Sequence, residues 1–222
     1  METKIVCISD THTYHRLIDI PEGDILVCTG DVSWTGTEEE MDDFVSWFKE
    51  QPHEHKIFVA GNHDRMCQRA PDAFEDYVAG EFSWLHDSGV DCMGLHFYGS
   101  SWQPEFGYDW AYNLPRGKEL LEVWRNVPSY TDVFLTHTPP FGVLDIVDRE
   151  HIHVGCEEMK IALNRIRPKL HVFGHIHESY GAIQLDSTVY VNASNVDVRC
   201  NPVNSPMVVT IENGEVVDCT NE

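Results

Sequence analysis

Five short polar clusters in this sequence carry residue types that bind metal ions or move protons. They are Asp10-Thr11-His12, Gly30-Asp31, Gly61-Asn62-His63-Asp64, His137 and Gly174-His175-Ile176-His177, and each follows an apolar run. Singly, each reads as well as an ordinary polar turn, because Gly, Asp and Asn favour turns on conformational grounds. Together and in this order they define seven candidate metal ligands: Asp10, His12, Asp31, Asn62, His137, His175 and His177. Carboxylate, imidazole and one amide oxygen make a borderline-to-hard donor set without a thiolate. Such a set suits Mn, Fe, Zn, Ni or Co ions. Seven donors are too many for one ion and about right for two, with Asp31, alone after its glycine, suited to bridge them. Two such ions would lower the pKa of a bridging water to give hydroxide and would neutralise charge on a phosphoryl group under attack. His63 is not needed as a ligand and lies beside Asn62, so it is the candidate general acid for the leaving group. Asp64 reads either as the group that orients the His63 ring and raises its pKa, or as a turn residue with a local hydrogen bond.

The apolar runs must place these clusters. Lys4 to Ser9, Asp24 to Thr29, Lys56 to Ala60, Asp132 to Thr136 and Leu170 to Phe173 each read as a buried strand that ends at one cluster. In open α/β folds, sites form at the carboxyl ends of strands, where all five clusters fall. Thr37 with Glu40 has the capping-box pattern, and Met41, Phe44, Val45 and Phe48 follow at helical spacing. Strand, helix, strand in that order predicts parallel βαβ units. Further helices are expected around Asp72 to Val78, over Lys118 to Val127, and through Met159, Ala162, Leu163 and Ile166. After His177 the period changes to two, and Asn213-Gly214 is a hairpin signal, so the chain is expected to end as an antiparallel set. Ser100 to Arg116 is rich in aromatic residues and has no clear period. It reads either as a loop over a pocket or as a satellite hydrophobic cluster. No internal repeat or linker interrupts the chain, so residues 1–222 read as one domain.

Composition narrows the partners. Lys and Arg total 15 against 37 Asp and Glu, a formal charge of −22. Such a surface repels polyanions, which argues against long nucleic acid and anionic membranes. A small anionic substrate stays compatible where bound cations reverse the local field. Seven scattered cysteines, odd in number and without a Cys-x-x-Cys pair, point to reduced thiols and a cytoplasmic compartment. The N-terminus enters a strand at once, which predicts no secretory signal, and no apolar run reaches the ~20 residues that cross a bilayer. Asn192-Ala193-Ser194 matches a glycosylation sequon and reads as structural. His15, His53, His55, His86, His96, His151, His153 and His171 lie outside the pattern and are expected at the surface or in the core. Nothing in the sequence speaks to self-association.

The five clusters, intact from Ile5 to His177, resemble the calcineurin-like metallophosphoesterase superfamily. Ile20-Pro21-Glu22-Gly23-Asp24, Asn113-Leu114-Pro115-Arg116-Gly117, His171 to Glu178 and Val191-Asn192-Ala193-Ser194 further resemble its metallophosphoesterase-domain-containing (239-type), class III cyclic nucleotide phosphodiesterase-like branch. The resemblance implies a four-layer α/β/β/α sandwich of two mixed sheets. It implies one metal site from Asp10, His12, Asp31 and His177 and a second from Asp31, Asn62, His137 and His175. Asn62, His63 and His137 would meet the substrate, with His63 and Asp64 as the catalytic pair. The implied activity is hydrolysis of small phosphodiesters, cyclic nucleotides among them, by a metal-bridging hydroxide with Mn²⁺ favoured. A broad phosphomonoesterase or protein Ser/Thr phosphatase is the alternative, and a catalytically weak scaffold on the same fold is a third reading.

Overall fold

The apolar runs are buried on both faces, which is the condition for parallel strands covered by helices. The computed structural model describes residues 2–107, 109–147 and 151–221. In chain order the strands are β1 (Glu2–Ile8), β2 (Ile25–Cys28), β3 (His55–Phe58), β4 (Ser83–Trp84), β5 (Ser88–Cys92), β6 (Leu95–Ser100), β7 (Gln103–Pro104), β8 (Asn113–Leu114), β9 (Val133–Thr136), β10 (Ile146–Val147), β11 (Ile152–His153), β12 (Leu170–Phe173), β13 (Gly181–Leu185), β14 (Thr188–Asn192), β15 (Met207–Glu212) and β16 (Glu215–Asn221). The α-helices are α1 (Glu38–Lys49), α2 (Arg65–Arg69), α3 (Pro71–Val78), α4 (Lys118–Arg125) and α5 (Glu157–Ile166).

Two mixed six-stranded sheets form, ordered β16-β15-β1-β2-β3-β4 and β13-β14-β12-β9-β6-β5. One core lies between them, with Ile5, Val27 and Ile57 of the first sheet against Phe97, Leu135 and Val172 of the second. Alternate residues of the first sheet, Val6, Leu26 and Phe58, pack on Phe44, Phe48 and Phe74 of α1 and α3. On the far side, Tyr98, Phe134 and Phe173 pack on Trp124 of α4 and Met159 of α5. Strand alternation thus gives each sheet two buried faces, and the layers run α/β/β/α, the expected fold.

The expected helix starting after Thr37 carries its full capping box: Thr37 accepts the Glu40 amide, and the Glu40 carboxylate accepts the Thr37 amide. Asn213 and Gly214 take φ of 52° and 83°, the two left-handed positions a tight hairpin needs. The chain does not end as one antiparallel set. β14 runs parallel to β12 and is fully buried, while β15 and β16 cross over to join β1 of the other sheet. Alternation in the sequence marks strands but not their direction, and long-range burial decided the pairing.

The two sheets are stitched at one end. Ser9, just past β1, bridges Ser194, just past β14, and the Asn195 amide donates to the Ser9 carbonyl at 2.8 Å. Asn192 of the sequon is fully buried and donates its amide to the Ile176 carbonyl at 2.8 Å, so its role is structural. Cys7 and Cys28 are buried small hydrophobes, and all seven cysteines are free thiols. Among the described residues no helix is long and apolar enough to cross a membrane.

Candidate metal centre

All five clusters lie just beyond the carboxyl ends of parallel strands. Asp10 and His12 follow β1, Asp31 follows β2 and Asn62 follows β3, all from one sheet. His137 follows β9, and His175 and His177 follow β12, from the other sheet. The site therefore sits where the ends of the two sheets meet, beside the Ser9–Ser194 stitch.

Tight backbone packing brings the clusters together. A Cβ on Gly174 would lie 2.0 Å from Asp10 Oδ2, and one on Gly61 would lie 2.2 Å from Asp31 Oδ1. Only hydrogen at those positions lets the carboxylates sit so close to a neighbouring strand end. Asp10, His12, Asp31 and His175 all have positive φ, between 40° and 69°. Such left-handed residues are uncommon outside glycine, and they gather at functional sites. The His175 amide donates to both Asp10 oxygens, at 2.9 and 3.1 Å, and the His63 amide donates to Asp31 Oδ1 at 2.8 Å.

The histidines are held in one orientation. Nδ1 of His12 faces the Ser33 carbonyl at 3.2 Å, that of His137 the Thr29 carbonyl at 2.8 Å, and that of His177 the Asp197 carbonyl at 3.1 Å. His63 Nδ1 meets the Trp34 carbonyl at 2.6 Å. A backbone carbonyl accepts only from N–H, so each ring carries a proton on Nδ1 and turns Nε2 inward. This is how metal-binding imidazoles are held. His137 Nε2 lies 3.2 Å from Asp31 Oδ2 and 3.0 Å from Asn62 Oδ1, and His177 Nε2 lies 3.4 Å from Asp10 Oδ1.

Three groups of donors each fall within 4.8 Å of one another: Asp31 with His137 and His175, Asp31 with His12 and His63, and His12 with His177 and Cys200. Asp31 belongs to two of these groups, one with His137 and His175 and one with His12 and His63. The charges of these groups act on one another. Burial pushes the Asp31 carboxyl up, but the charges of His137 and His63 outweigh it and hold it well below the usual range. Burial likewise opposes His137, yet Asp31 and Asp10 raise its ring to about 9. His175, buried and facing the His137 charge, is held down at about 3 and stays a neutral donor. An ionised carboxylate, Asp31, thus sits beside a neutral imidazole, His175, and both are forms in which these groups bind divalent ions.

Asp64 does not pair with the His63 ring. Its Oδ2 accepts the amides of Asp31 and Gly61, both at 2.8 Å, and its Oδ1 accepts those of Val32 and Ser33 and the Ser33 hydroxyl. Asp64 therefore clamps the loop that carries Asp31, and the local-turn alternative, extended across two loops, is the one realised. Burial and the nearby Asp31 charge raise its carboxyl to about 6.

The aromatic segment does both jobs considered for it. Trp102 and Tyr112 pack into the helix-side core, while Phe106 and Trp110 reach the site, 5.0 Å from the His175 ring and 4.3 Å from the His63 ring. Tyr108 lies outside the described residues. A cavity of ≈ 490 Å³ opens beside His175 and His177, walled by Phe106, Val154, Val198 and Arg116. The Arg116 guanidinium is pinned to the Val154 and Gly155 carbonyls.

Sequence reasoning missed two residues at the site. Trp34 stacks on His12 at 4.6 Å and supplies the carbonyl that holds His63. Cys200 brings its sulfur within 4.8 Å of ring nitrogens of His12 and His177, beside a donor set expected to have no thiolate. Each lies in an irregular loop, Trp34 three residues past Asp31 and Cys200 eight past the end of β14, where no period singles it out.

The calcineurin-like phosphoesterase family model matches residues 3–179. Metallophosphoesterase domain-containing protein 1 of Homo sapiens is 39 % identical over 94 % of this chain and 71 % of its own length. UPF0046 protein K07C11.7 of Caenorhabditis elegans is 35 % identical over 90 % of this chain and 71 % of its own. The solved structure of TT1561 of Thermus thermophilus aligns with a TM-score of 0.63 at 13 % identity, over 100 % of this chain and 99 % of that one, a likeness of fold. On the family match, the relatives and the two-sheet fold, the chain belongs to the calcineurin-like phosphoesterases, whose members generally hold two divalent metal ions.

Proposed function

We propose that this protein is a dimetal phosphodiesterase acting on small substrates, cyclic nucleotides among them. The observation that carries the reading is the sharing of Asp31 between two donor groups in a site where His12, His137 and His177 turn Nε2 inward. Asp10, His12, Asp31 and His177 would hold one ion, and Asp31, Asn62, His137 and His175 the other. Bound divalent ions supply Lewis acidity, acidifying water and neutralising phosphoryl charge. The protein's own residues do the rest. Asp64 fixes the Asp31 loop by accepting four backbone amides. His63, held at Nδ1 by Trp34, presents Nε2 at the edge of the donor cluster, 3.9 Å from Asp31 Oδ2. As an imidazolium it can give the Nε2 proton to a departing alkoxide.

A diester is favoured over a phosphoprotein by the cavity beside His175 and His177. Its volume falls in the range of small-molecule sites, and its Phe106, Val154 and Val198 wall suits an apolar or ring-bearing ester arm. The acidic chain also disfavours long polyanions.

A metal-resolved panel tests this. The Mn²⁺-loaded protein should turn over bis-p-nitrophenyl phosphate and at least one of 2′,3′- and 3′,5′-cyclic AMP faster than p-nitrophenyl phosphate or a phosphopeptide. Dominant turnover of the phosphopeptide or the monoester would replace the reading with a phosphatase. Less than one bound ion per chain, with no turnover, would leave a scaffold on this fold.

A further inference from the structure

The donor set contains a sulfur that the seven-ligand scheme leaves unused. Cys200 Sγ lies within 4.8 Å of ring nitrogens of His12 and His177, in a group that shares no member with the Asp31–His137–His175 group. Its position is built by a tight turn. Asp197 Oδ1 accepts the Arg199 amide at 2.8 Å and the Asn201 amide at 2.9 Å, and Asp197 Oδ2 accepts the Asn201 side-chain amide at 2.9 Å. Within the turn the Cys200 amide donates to the Asp197 carbonyl at 2.8 Å, and Cys200 takes a left-handed φ of 58°. That same Asp197 carbonyl holds His177 Nδ1 at 3.1 Å. One backbone oxygen therefore sets both the His177 ring and the Cys200 backbone. His12 arrives from the end of β1, His177 from the end of β12 and Cys200 from the loop beyond β14, so two strand ends and one loop bring N, N and S donors to one place.

We propose that Cys200 is a further metal ligand, binding as thiolate to the ion held by Asp10, His12 and His177 and biasing that position toward a thiophilic divalent ion such as Zn²⁺, Co²⁺ or Fe²⁺ over Mn²⁺. The inference rests on the dimetal reading above. Ion binding replaces the S–H bond by a sulfur–metal bond and releases the proton to solvent. The second position, built from Asp31, Asn62, His137 and His175, has only nitrogen and oxygen donors. The two positions thus differ in softness, and donor softness sorts metals where overall affinity does not. A centre of two different metals follows.

The test uses the full chain, stripped by chelator and reloaded with Co²⁺. The wild type should show a thiolate-to-cobalt charge-transfer band in the near ultraviolet. The band should vanish in Cys200→Ser and Cys200→Ala and persist in Cys219→Ser. Chelator competition should show the preference for Zn²⁺ over Mn²⁺ falling by at least about tenfold in Cys200→Ser, the low end of what outer-shell substitutions alone produce. Equal melting of metal-free wild type and Cys200→Ser would show that the loss is one of ligation. Two bound Co²⁺ without the band, or a band that survives in Cys200→Ser, would overturn the role of Cys200 and leave the dimetal reading standing. Less than one bound Co²⁺ per wild-type chain would overturn both.

Discussion

Gly174→Ala should empty the Asp10 metal position while leaving the fold in place. The added Cβ would lie 2.0 Å from Asp10 Oδ2, 2.1 Å from Ser9 Oγ and 2.7 Å from Ser9 Cβ, whereas ordinary contact begins at 3.4 Å. The carboxylate must retreat by about 1.4 Å, against a tolerance of roughly 0.2 Å in metal–ligand distance. It cannot retreat freely, because Asp10 is fully buried and accepts the His175 amide with both oxygens. Overpacking of this kind costs about 1–3 kcal/mol, which in a chain this long lowers Tm by roughly 2–4 °C per kcal/mol. Metal binding works in the other direction. An ion present at a hundred times its Kd adds about 2.7 kcal/mol, or roughly 5–11 °C, to the wild type. Metal content by mass spectrometry and melting with and without ions read the two effects separately. Gly174→Ala should lose at least one ion and most of the metal-induced rise. Gly80→Ala is the control: nothing lies within 4 Å of an added Cβ there, and only the positive φ of Gly80 (83°) opposes the substitution, so it should lose stability yet keep the full rise. A Gly174→Ala protein that binds two ions with wild-type affinity would refute the placement of Asp10 at the metal.

His63→Ala should keep both ions and lose most rate on substrates with poor leaving groups; equal losses on p-nitrophenyl and alkyl esters would count against His63 as the acid. Asp64→Ala leaves four buried amides without their acceptor, so it should weaken metal affinity and keep the wild-type dependence on leaving group. A leaving-group pattern like that of His63→Ala would instead restore an orienting role for Asp64. His171, wholly buried under α4 and α5, is held down at about 3 by burial alone. Its folded pKa lies below the unfolded 6.5, so its contribution is complete above pH 6.5 and is lost as pH falls toward 3. Between pH 7 and pH 5 the wild type should lose about 2 kcal/mol more than His171→Gln in denaturant titrations, since other groups cancel in the comparison. Parallel pH profiles for the two proteins would show that His171 carries no such linkage.

Much of the site was legible because strand ends and ligand clusters coincide in the sequence. An apolar run followed by Asp-Thr-His or Gly-His-Ile-His states both where the chain stops and what it presents there. The five parallel strands leading to the clusters, the capped helix after Thr37 and the Asn213-Gly214 hairpin could be read because each depends on neighbours within a few residues. The partners of Asp64 could not, since its carboxylate bonds to amides 31–33 positions away and the nearer His63 ring is taken by Trp34. Cys200 was hidden for the same reason: its partners are His12 and His177, and its own turn is set by an aspartate with no periodic signature. The strands after His177 were recognised, but their direction and sheet were fixed by burial against β12 and β1, a long-range property.

The donors come from both sheets, and Asp10 meets the amide of His175 across 165 residues of sequence. A chain emerging during synthesis presents Asp10, His12 and Asp31 long before His175 and His177 exist. A nascent chain can hold an ion only through partial and weakly binding subsets of these residues. On the proposed ligand scheme, full affinity would arrive when the second sheet closes on the first, and metal capture would report that assembly is finished. A protein built this way should acquire its ions after folding, and the metals in the compartment where folding ends would decide what it carries.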